Sequence, residues 1–294
     1  MAKLRLGTEY NQIVETQYEK SGHIIYYGEV VDILKTKIQD ESIDLIFADP
    51  PYNIGKKFSN FNDRWPSDKA YAEWAYTWLD ECVRILKPSG TLYVMTSTQA
   101  MPHFDLFLRD KLTIISRIIW HYDSSGVQAK KYFGSTYEPI LHCVKDSKNY
   151  TFNADEVKID AKTGSQRKLI DYRKSIPTPY NSTKVPGNVW CINRVRYRMS
   201  EYEKHPSQKP EALLERIIKA SSNPNDMVLD PFSGTFTTSA VAKRLNRFSI
   251  GIENQNEYIK IGLRRILDFK ELNGELLLPP QKTYFGKRKI KKSS

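Results

Sequence analysis

Asp49-Pro50-Pro51-Tyr52 places a carboxylate, a backbone carbonyl held between two proline rings and an aromatic face within four residues. These groups suit the alkylation of a weakly nucleophilic amine. The exocyclic amino group of a nucleobase has its lone pair delocalised into the ring, so acceptors beside it must stabilise the positive charge that develops on nitrogen. The Asp49 carboxylate and the Pro50 carbonyl are such acceptors. Pro50 and Pro51 would keep that carbonyl turned out of a strand, and Tyr52 offers a ring on which an extruded base can stack. This chemistry requires no metal. The plainer reading is a Pro-Pro strand terminator beside a solvated aspartate.

A second constellation is Leu229-Asp230-Pro231-Phe232-Ser233-Gly234-Thr235, with Glu253 lying 23 positions beyond Asp230. A turn after a strand that opens a helix is where α/β sheets bind nucleotide-like ligands. One glycine stands here in place of the three of a dinucleotide fingerprint, which argues against a pyrophosphate. Gly234 allows close approach of a smaller ligand, Asp230 can receive an ammonium group, and Glu253 stands near the offset at which an acid meets ribose hydroxyls. A plain strand-helix-strand crossover with a surface glutamate is the alternative.

The elements around these residues follow from periodicity. Residues 42–48 read as a strand stopped by the two prolines, residues 68–86 as a helix capped by Ser67 and ended at Lys87-Pro88-Ser89-Gly90, and residues 91–95 as the next strand. The second half repeats the pattern with a helix from Pro210 to about residue 220, a strand at 227–230, a helix at 237–245, a strand at 248–252 and a helix at 256–269. Alternation of strand and helix implies a parallel sheet with crossover helices. Residues 150–204 lose periodicity and gather prolines. They read as an irregular insertion anchored by Tyr172, Tyr180, Trp190 and Tyr197. The expected division is a catalytic half at 1–149, an insertion at 150–204, a ligand-binding half at 205–272 and a basic tail at 273–294.

The 294 residues, 40% of them hydrophobic, suffice for one sizeable α/β core. A net charge of +11 favours polyanionic partners, nucleic acid above all, although a merely soluble basic protein would share it. Cys82, Cys143 and Cys191 form no CxxC pair and no secretory segment is read at the N-terminus, so free thiols in a reducing cytoplasm are expected and a zinc site is not. The apolar runs are too short for a membrane span.

Together these motifs resemble the N4/N6 amino-methyltransferases of DNA. The resemblance is to the β-class arrangement, in which the catalytic tetrapeptide precedes the cofactor loop, and is strongest to the YhdJ-like adenine-N6 members. It covers roughly residues 24–269. It implies an S-adenosylmethionine-dependent, Rossmann-like α/β fold with a mostly parallel seven-stranded sheet that carries an antiparallel edge strand. It carries Asp49, Pro50, Pro51 and Tyr52 onto the catalytic motif, and Asp230, Phe232, Ser233, Gly234, Thr235 and Glu253 onto the cofactor loop and ribose acid, with Asp49 also facing the cofactor. His205-Pro206-Ser207-Gln208-Lys209-Pro210 resembles the segment enclosing the methionine end of S-adenosylmethionine, which places Gln208 and Lys209 there; Lys209-Pro210 alone would also serve as a helix start. Glu29 stands where the family has an aspartate against the cofactor's adenine. Phe236 replaces a frequent glycine and is expected to pack into the core.

Aspartate at position 49 favours adenine N6, because cytosine-N4 members more often carry serine there and protein-amide methyltransferases asparagine. An inactive DNA-binding relative is the alternative of another class. Partners implied are double-stranded DNA, a second copy of the chain and a cognate restriction enzyme. The family's target-recognition region falls at 150–204, whose Arg167, Arg173, Lys174, Arg194, Arg196 and Arg198 supply donors to phosphate and base edges. The alternation of Arg194, Arg196 and Arg198 suggests one face of a strand. Residues 124–131, with Lys130 and Lys131, are a further candidate as a loop closing over the flipped base, or simply a surface loop.

Overall fold

The computed structural model describes residues 16–58, 62–122, 130–162 and 167–269, together with the backbone of 271–272 and 275–276. One nine-stranded sheet organises these residues. Its strands are β1 (Thr16–Lys20), β2 (His23–Tyr27), β3 (Ile43–Ala48), β4 (Leu86–Met95), β5 (Thr113–His121), β6 (Tyr137–Val144), β7 (Val189–Cys191), β8 (Met227–Asp230) and β9 (Phe248–Glu253). Across the sheet the order is β1-β2-β9-β8-β3-β4-β6-β5-β7. The seven expected strands form the span from β2 to β5, and short β1 and β7 extend its two edges. The family's antiparallel strand is interior in this chain: β6 runs antiparallel to both β4 and β5. At the edge, β1 is also antiparallel to β2.

Alternating side chains send the sheet's apolar residues to two faces. Ile46 and Ala48 of β3 pack with α1 (Val30–Lys37), α2 (Asp68–Ile85) and α3 (Met101–Arg109). Leu45 and Phe47, one residue out of phase, pack with α4 (Glu211–Ser221) and α5 (Thr237–Arg244). The last helix, α6 (Asn256–Leu267), closes over Ile25 and Phe236. The chain therefore leaves β3 toward one face and β8 toward the other. These two strands are parallel neighbours, paired at Val228 with Leu45 and Leu229 with Ile46. Where neighbouring crossovers diverge, a crevice opens at the strands' carboxyl ends.

Sequence-level boundaries hold to within a residue or two for most of these elements. Ser67 caps α2, its hydroxyl accepting from the Ala70 amide at 3.1 Å. The strand expected at 91–95 begins earlier, at Leu86. Its register jumps between the pairs Ile43 with Leu86 and Leu45 with Thr91, so Lys87-Pro88-Ser89-Gly90 is an irregularity within β4 and not a separate loop.

The insertion is held at its ends. The Asn153 amide donates to the carbonyls of Lys219 (3.1 Å) and Ser222 (2.9 Å) at the end of α4, and β7 adds to the sheet parallel to β5. Of its four expected aromatic anchors only Trp190 is buried; Tyr172 and Tyr197 are exposed and Tyr180 is at the surface. Tyr172 and Tyr180 adjoin a small strand pair, Ile170–Asp171 with Thr178–Pro179, and Tyr197 packs edge-on against Tyr202, so none of these rings enters the core. The row of arginines is also revised. The strand ends at Cys191, residues 197–198 form a turn and Arg198 has a positive φ of 75°, so Arg194, Arg196 and Arg198 do not share a strand face.

Among the described residues no helix is long and apolar enough to cross a membrane. Residues 124–129 and 277–294, which include most of the expected closing loop and the basic tail, lie outside the described residues.

Candidate active site

The turn after β3 is fixed by a residue that sequence reasoning passed over. Asp63, itself buried, accepts from the Tyr52 amide at 3.1 Å and from the Lys56 amide. The Pro51 carbonyl accepts from the Tyr71 hydroxyl of α2 at 2.7 Å. Two prolines cannot continue the ladder, and these three bonds define where the chain goes instead. They turn the Asp49 and Tyr52 side chains toward each other: the Tyr52 hydroxyl is 2.6 Å from Asp49 Oδ1.

Two further elements bring charge to that pair. Lys209, immediately before the proline that starts α4, extends its ammonium to 2.7 Å from Asp49 Oδ2. Glu138 comes from the start of β6. Because β6 runs against its neighbours, its beginning lies at the edge where β3 and β4 end, which is how a glutamate so distant in sequence reaches Asp49. Glu138 Oε2 is 2.8 Å from the Tyr52 hydroxyl, Oε1 accepts from Tyr122 at 3.0 Å, and Lys209 Nζ lies 3.5 Å away. The Lys209 ammonium also sits 5.4 Å from the Tyr52 ring centre, and the Arg194 guanidinium 5.0 Å from that of Tyr122.

Burial raises Asp49 above the ordinary carboxylate range, against the pull of Lys209. For Glu138 burial acts in the same sense, but Lys209 and the hydroxyls of Tyr52 and Tyr122 outweigh it and hold the carboxyl low. Lys209 loses solvation by burial yet is held charged by Asp49 and Glu138. The two carboxylates thus share one buried cation.

The ligand loop after β8 is built around two buried acids. Asp230 Oδ1 accepts from the Phe232 amide at 3.0 Å and Oδ2 from the Thr238 hydroxyl at 2.5 Å. Glu253 accepts from the amides of Gly234, Asn254 and Gln255, at 2.9, 2.9 and 2.8 Å, which ties the end of β9 to the loop after β8. Burial, only partly offset by these bonds, pushes both carboxyls up to about 7. Gly234 has φ +48°, and a Cβ there would lie 3.1 Å from His205 Nε2. Glycine is needed for both reasons, the left-handed backbone and the close approach. Ser233 and Thr235 turn their hydroxyls inward to the loop, to the Asp230 carbonyl and the Thr237 hydroxyl.

Both constellations line one cavity of about 1010 Å³ that also takes in Glu29, Lys56, Trp65, Trp74, Tyr122, Glu138, Arg194, His205, Gln208 and Lys209. A cofactor of amino-acid and nucleoside character fits its donor set: buried carboxylates for an ammonium and for vicinal hydroxyls, a glycine cradle, and aromatic Phe232 and Trp74 alongside.

Of the sequence-assigned residues, Asp49, Pro50, Pro51, Tyr52, Glu29, Asp230, Phe232, Ser233, Gly234, Thr235, Glu253, Gln208, Lys209 and Arg194 all border this cavity. Two differ in what they touch. Lys209 meets Asp49 and Glu138, and Gln208 clamps its own loop, accepting from the Glu203 amide and donating to the Glu201 carbonyl. Arg167, Arg196, Arg198, Lys130 and Lys131 are exposed and do not border it. Arg173 is engaged by Asp171 and Lys174 by the Thr178 hydroxyl. Among the described residues no three His, Cys, Asp or Glu side chains are grouped to hold a metal ion.

Residues 43–264 match a family model described as DNA methylase. The chain is 59% identical over 251 residues to the DNA adenine methyltransferase YhdJ of Escherichia coli (strain K12), covering 85% of each chain. It is 38% identical over 239 residues to the type II methyltransferase M.HpaI of Haemophilus parainfluenzae, covering 81% of this chain and 71% of the other. Among solved structures, the cytosine-N4-specific PvuII DNA methyltransferase superposes with a TM-score of 0.66 at 19% identity, covering 89% of this chain and 91% of that one. The M1.HpyAVI–SAM complex superposes with a TM-score of 0.56 at 24% identity, covering 82% and 97%. At these identities the two structures establish a common fold.

Proposed function

This chain belongs to the DNA methylase family of N6 and N4 amino-methyltransferases, and on that premise we infer that it transfers a methyl group from S-adenosylmethionine to the N6 amino group of adenine in duplex DNA. The observation that carries the reading is the shared cavity, in which an amine-facing carboxylate, Asp49, and a pair of cofactor-facing carboxylates, Asp230 and Glu253, open onto one space. The relative named as an adenine methyltransferase, at 59% identity, supports adenine over cytosine.

When bound, S-adenosylmethionine supplies a methyl group already activated on a sulfonium. Asp230 receives its ammonium, Glu253 its ribose hydroxyls and Glu29 its adenine edge, while Gly234 lets it approach the backbone. Asp49 and the Pro50 carbonyl accept the hydrogens of the target amine and orient its lone pair. The ring of Tyr52 holds the base, whose extrusion from the helix is required for any side chain to reach its amino group. The residues' contribution is placement of two reactants in a cleft that limits water, worth several kcal/mol. Lys209 opposes the neutralisation of Asp49 that burial favours.

Residues 150–204 form the target-recognition region in this reading, with Arg194 the base-reading candidate because it borders the cavity. A second copy of the chain and a cognate endonuclease are the further partners, and the reaction is set in the cytoplasm. The test is transfer of labelled methyl to DNA followed by single-molecule sequencing of DNA from a methylation-deficient host expressing the chain. N6-methyladenine in one sequence context is expected. N4-methylcytosine would overturn the choice of base, and no transfer would overturn the reading.

A further inference from the structure

Two carboxylates compete for one hydroxyl proton at the centre of the cleft. The Tyr52 hydroxyl lies 2.6 Å from Asp49 Oδ1 and 2.8 Å from Glu138 Oε2. Both are hydrogen-bonding distances, yet a phenol has a single proton to give. Each carboxylate has other support. Lys209 stands against Asp49 Oδ2 at 2.7 Å and against Glu138 at 3.5 Å, and Tyr122 donates to the far oxygen of Glu138 at 3.0 Å. The Tyr52 proton can therefore serve either acid without stranding the other.

We propose that Glu138 is a positioning residue for methyl transfer, the alternative acceptor to which Tyr52 turns its hydroxyl when Asp49 takes up the proton released by the amine. The proposal rests on the methyl-transfer reading above. In the step, the amine nitrogen bonds to the methyl carbon and the carbon–sulfur bond breaks, leaving its electrons on sulfur. The surplus proton of the methylated amine then passes to Asp49. The Tyr52 proton stays on Tyr52; only its hydrogen bond moves, from Asp49 to Glu138. The phenol oxygen, freed on its other side, accepts from the newly protonated Asp49.

Charge makes Glu138 more than a second acceptor. A carboxylate this close disfavours ionisation of its neighbour and so makes Asp49 a stronger base. The opposing cations are Lys209, Lys56 and Arg194, which border the same cavity. Asp230 adds a further negative charge only as pH rises through about 7, and the hydroxyl of Tyr71 is occupied by the Pro51 carbonyl. Glu138 is the member of this set that touches both Tyr52 and Lys209.

Carboxyl carbon-13 resonances of aspartate-labelled free protein, titrated in wild type, Glu138→Gln and Glu138→Asp, test the coupling without any turnover. The Asp49 midpoint is expected to fall by about one pH unit in Glu138→Gln, where the like charge is gone, and to stay in place in Glu138→Asp, where it is kept. In single-turnover methylation the acid limb of the pH profile should move down by the same amount and the plateau should drop, while calorimetric affinity for S-adenosylmethionine is unchanged. Tyr52→Phe removes the hydroxyl that the two carboxylates share and leaves their like-charge repulsion, so adding Glu138→Gln to it should still lower the Asp49 midpoint but should cost less in rate than in wild type. An Asp49 midpoint unmoved in a folded, cofactor-binding Glu138→Gln protein would overturn the role of Glu138 while leaving methyl transfer standing. Absence of methyl transfer by the wild-type protein would remove the reading and this step together.

Discussion

The ring of Phe236 occupies the space that a side chain on Gly262 would take: a Cβ there would come within 2.6 Å of Phe236 Cδ2. Gly251 yields to the same ring, at 2.7 Å. Phe236 is fully buried and adopts a left-handed backbone with φ 59° at the start of α5, an unusual conformation for a bulky residue. Two glycines on β9 and α6 therefore accommodate one phenylalanine. Gly262→Ala should destabilise the fold by about 1–3 kcal/mol through overpacking, and Phe236→Ala by about 3–5 kcal/mol through the cavity it leaves. Denaturant titration measures both; an unchanged midpoint in Gly262→Ala would mean that the ring has room to move.

Asp230 makes stability depend on pH. Its folded carboxyl is raised from 3.8 to about 7 by burial, so in that window the folded state binds more protons than the unfolded chain and stability falls as pH rises. The melting temperature of the free wild-type protein should decline relative to Asp230→Asn between pH 4 and 7 and hold a constant difference above. S-adenosylmethionine, whose ammonium compensates the ionised acid, should reduce the decline in wild type only. Its affinity should tighten as pH rises through about 7 with release of a proton, measurable by calorimetry in buffers of different ionisation heat.

Glu253→Ala should weaken S-adenosylmethionine by about 1.5–3 kcal/mol, the range of hydrogen bonds to charged groups. It also frees the Gly234, Asn254 and Gln255 amides, so its thermal stability should fall even without cofactor. Asp49→Ala should instead abolish turnover and leave cofactor affinity nearly intact. Equal loss of affinity in both variants would contradict the division of the cleft into two ends.

Lys209→Met should cost about 3–5 kcal/mol, because it leaves two largely buried carboxylates without their cation. With the lysine gone both acids are raised in the folded state, so the deficit should be largest at neutral and alkaline pH and shrink on acidification as they protonate. A pH-independent deficit would indicate lost packing alone.

Arg194→Ala should relax preference at one target position and cost about 1–3 kcal/mol, whereas Arg196→Ala and Arg198→Ala should weaken all duplexes alike and reduce the salt dependence. Methylation of a randomised duplex library, with binding at two salt concentrations, separates the two behaviours. Identical sequence preference in all three variants would move recognition elsewhere.

What could be read in the sequence was what sits beside its own strand. Asp49 follows β3 directly and Asp230 ends β8, so a strand pattern and a turn sufficed to place both at the carboxyl edge. Glu138 could not be found that way. It lies at the beginning of its strand, and only the antiparallel course of β6, a tertiary fact, brings that beginning to the same edge. Lys209 was readable as a residue of the site but not as the partner of Asp49, because the contact spans the whole insertion. The alternating arginines misled because alternation means a face only where a strand continues, and the chain turns after Cys191.

The crevice between β3 and β8 comes from the route of the backbone and not from the side chains that line it. Substitutions can change what is held there, or whether anything reacts, but a point change cannot reroute two crossovers to the same side of a sheet. Loss of chemistry and loss of the opening are therefore separable events in this architecture. A lineage that lost Asp49 would keep a vacant niche for a small molecule beside a basic surface, ready material for a protein that senses the cofactor or marks DNA without altering it.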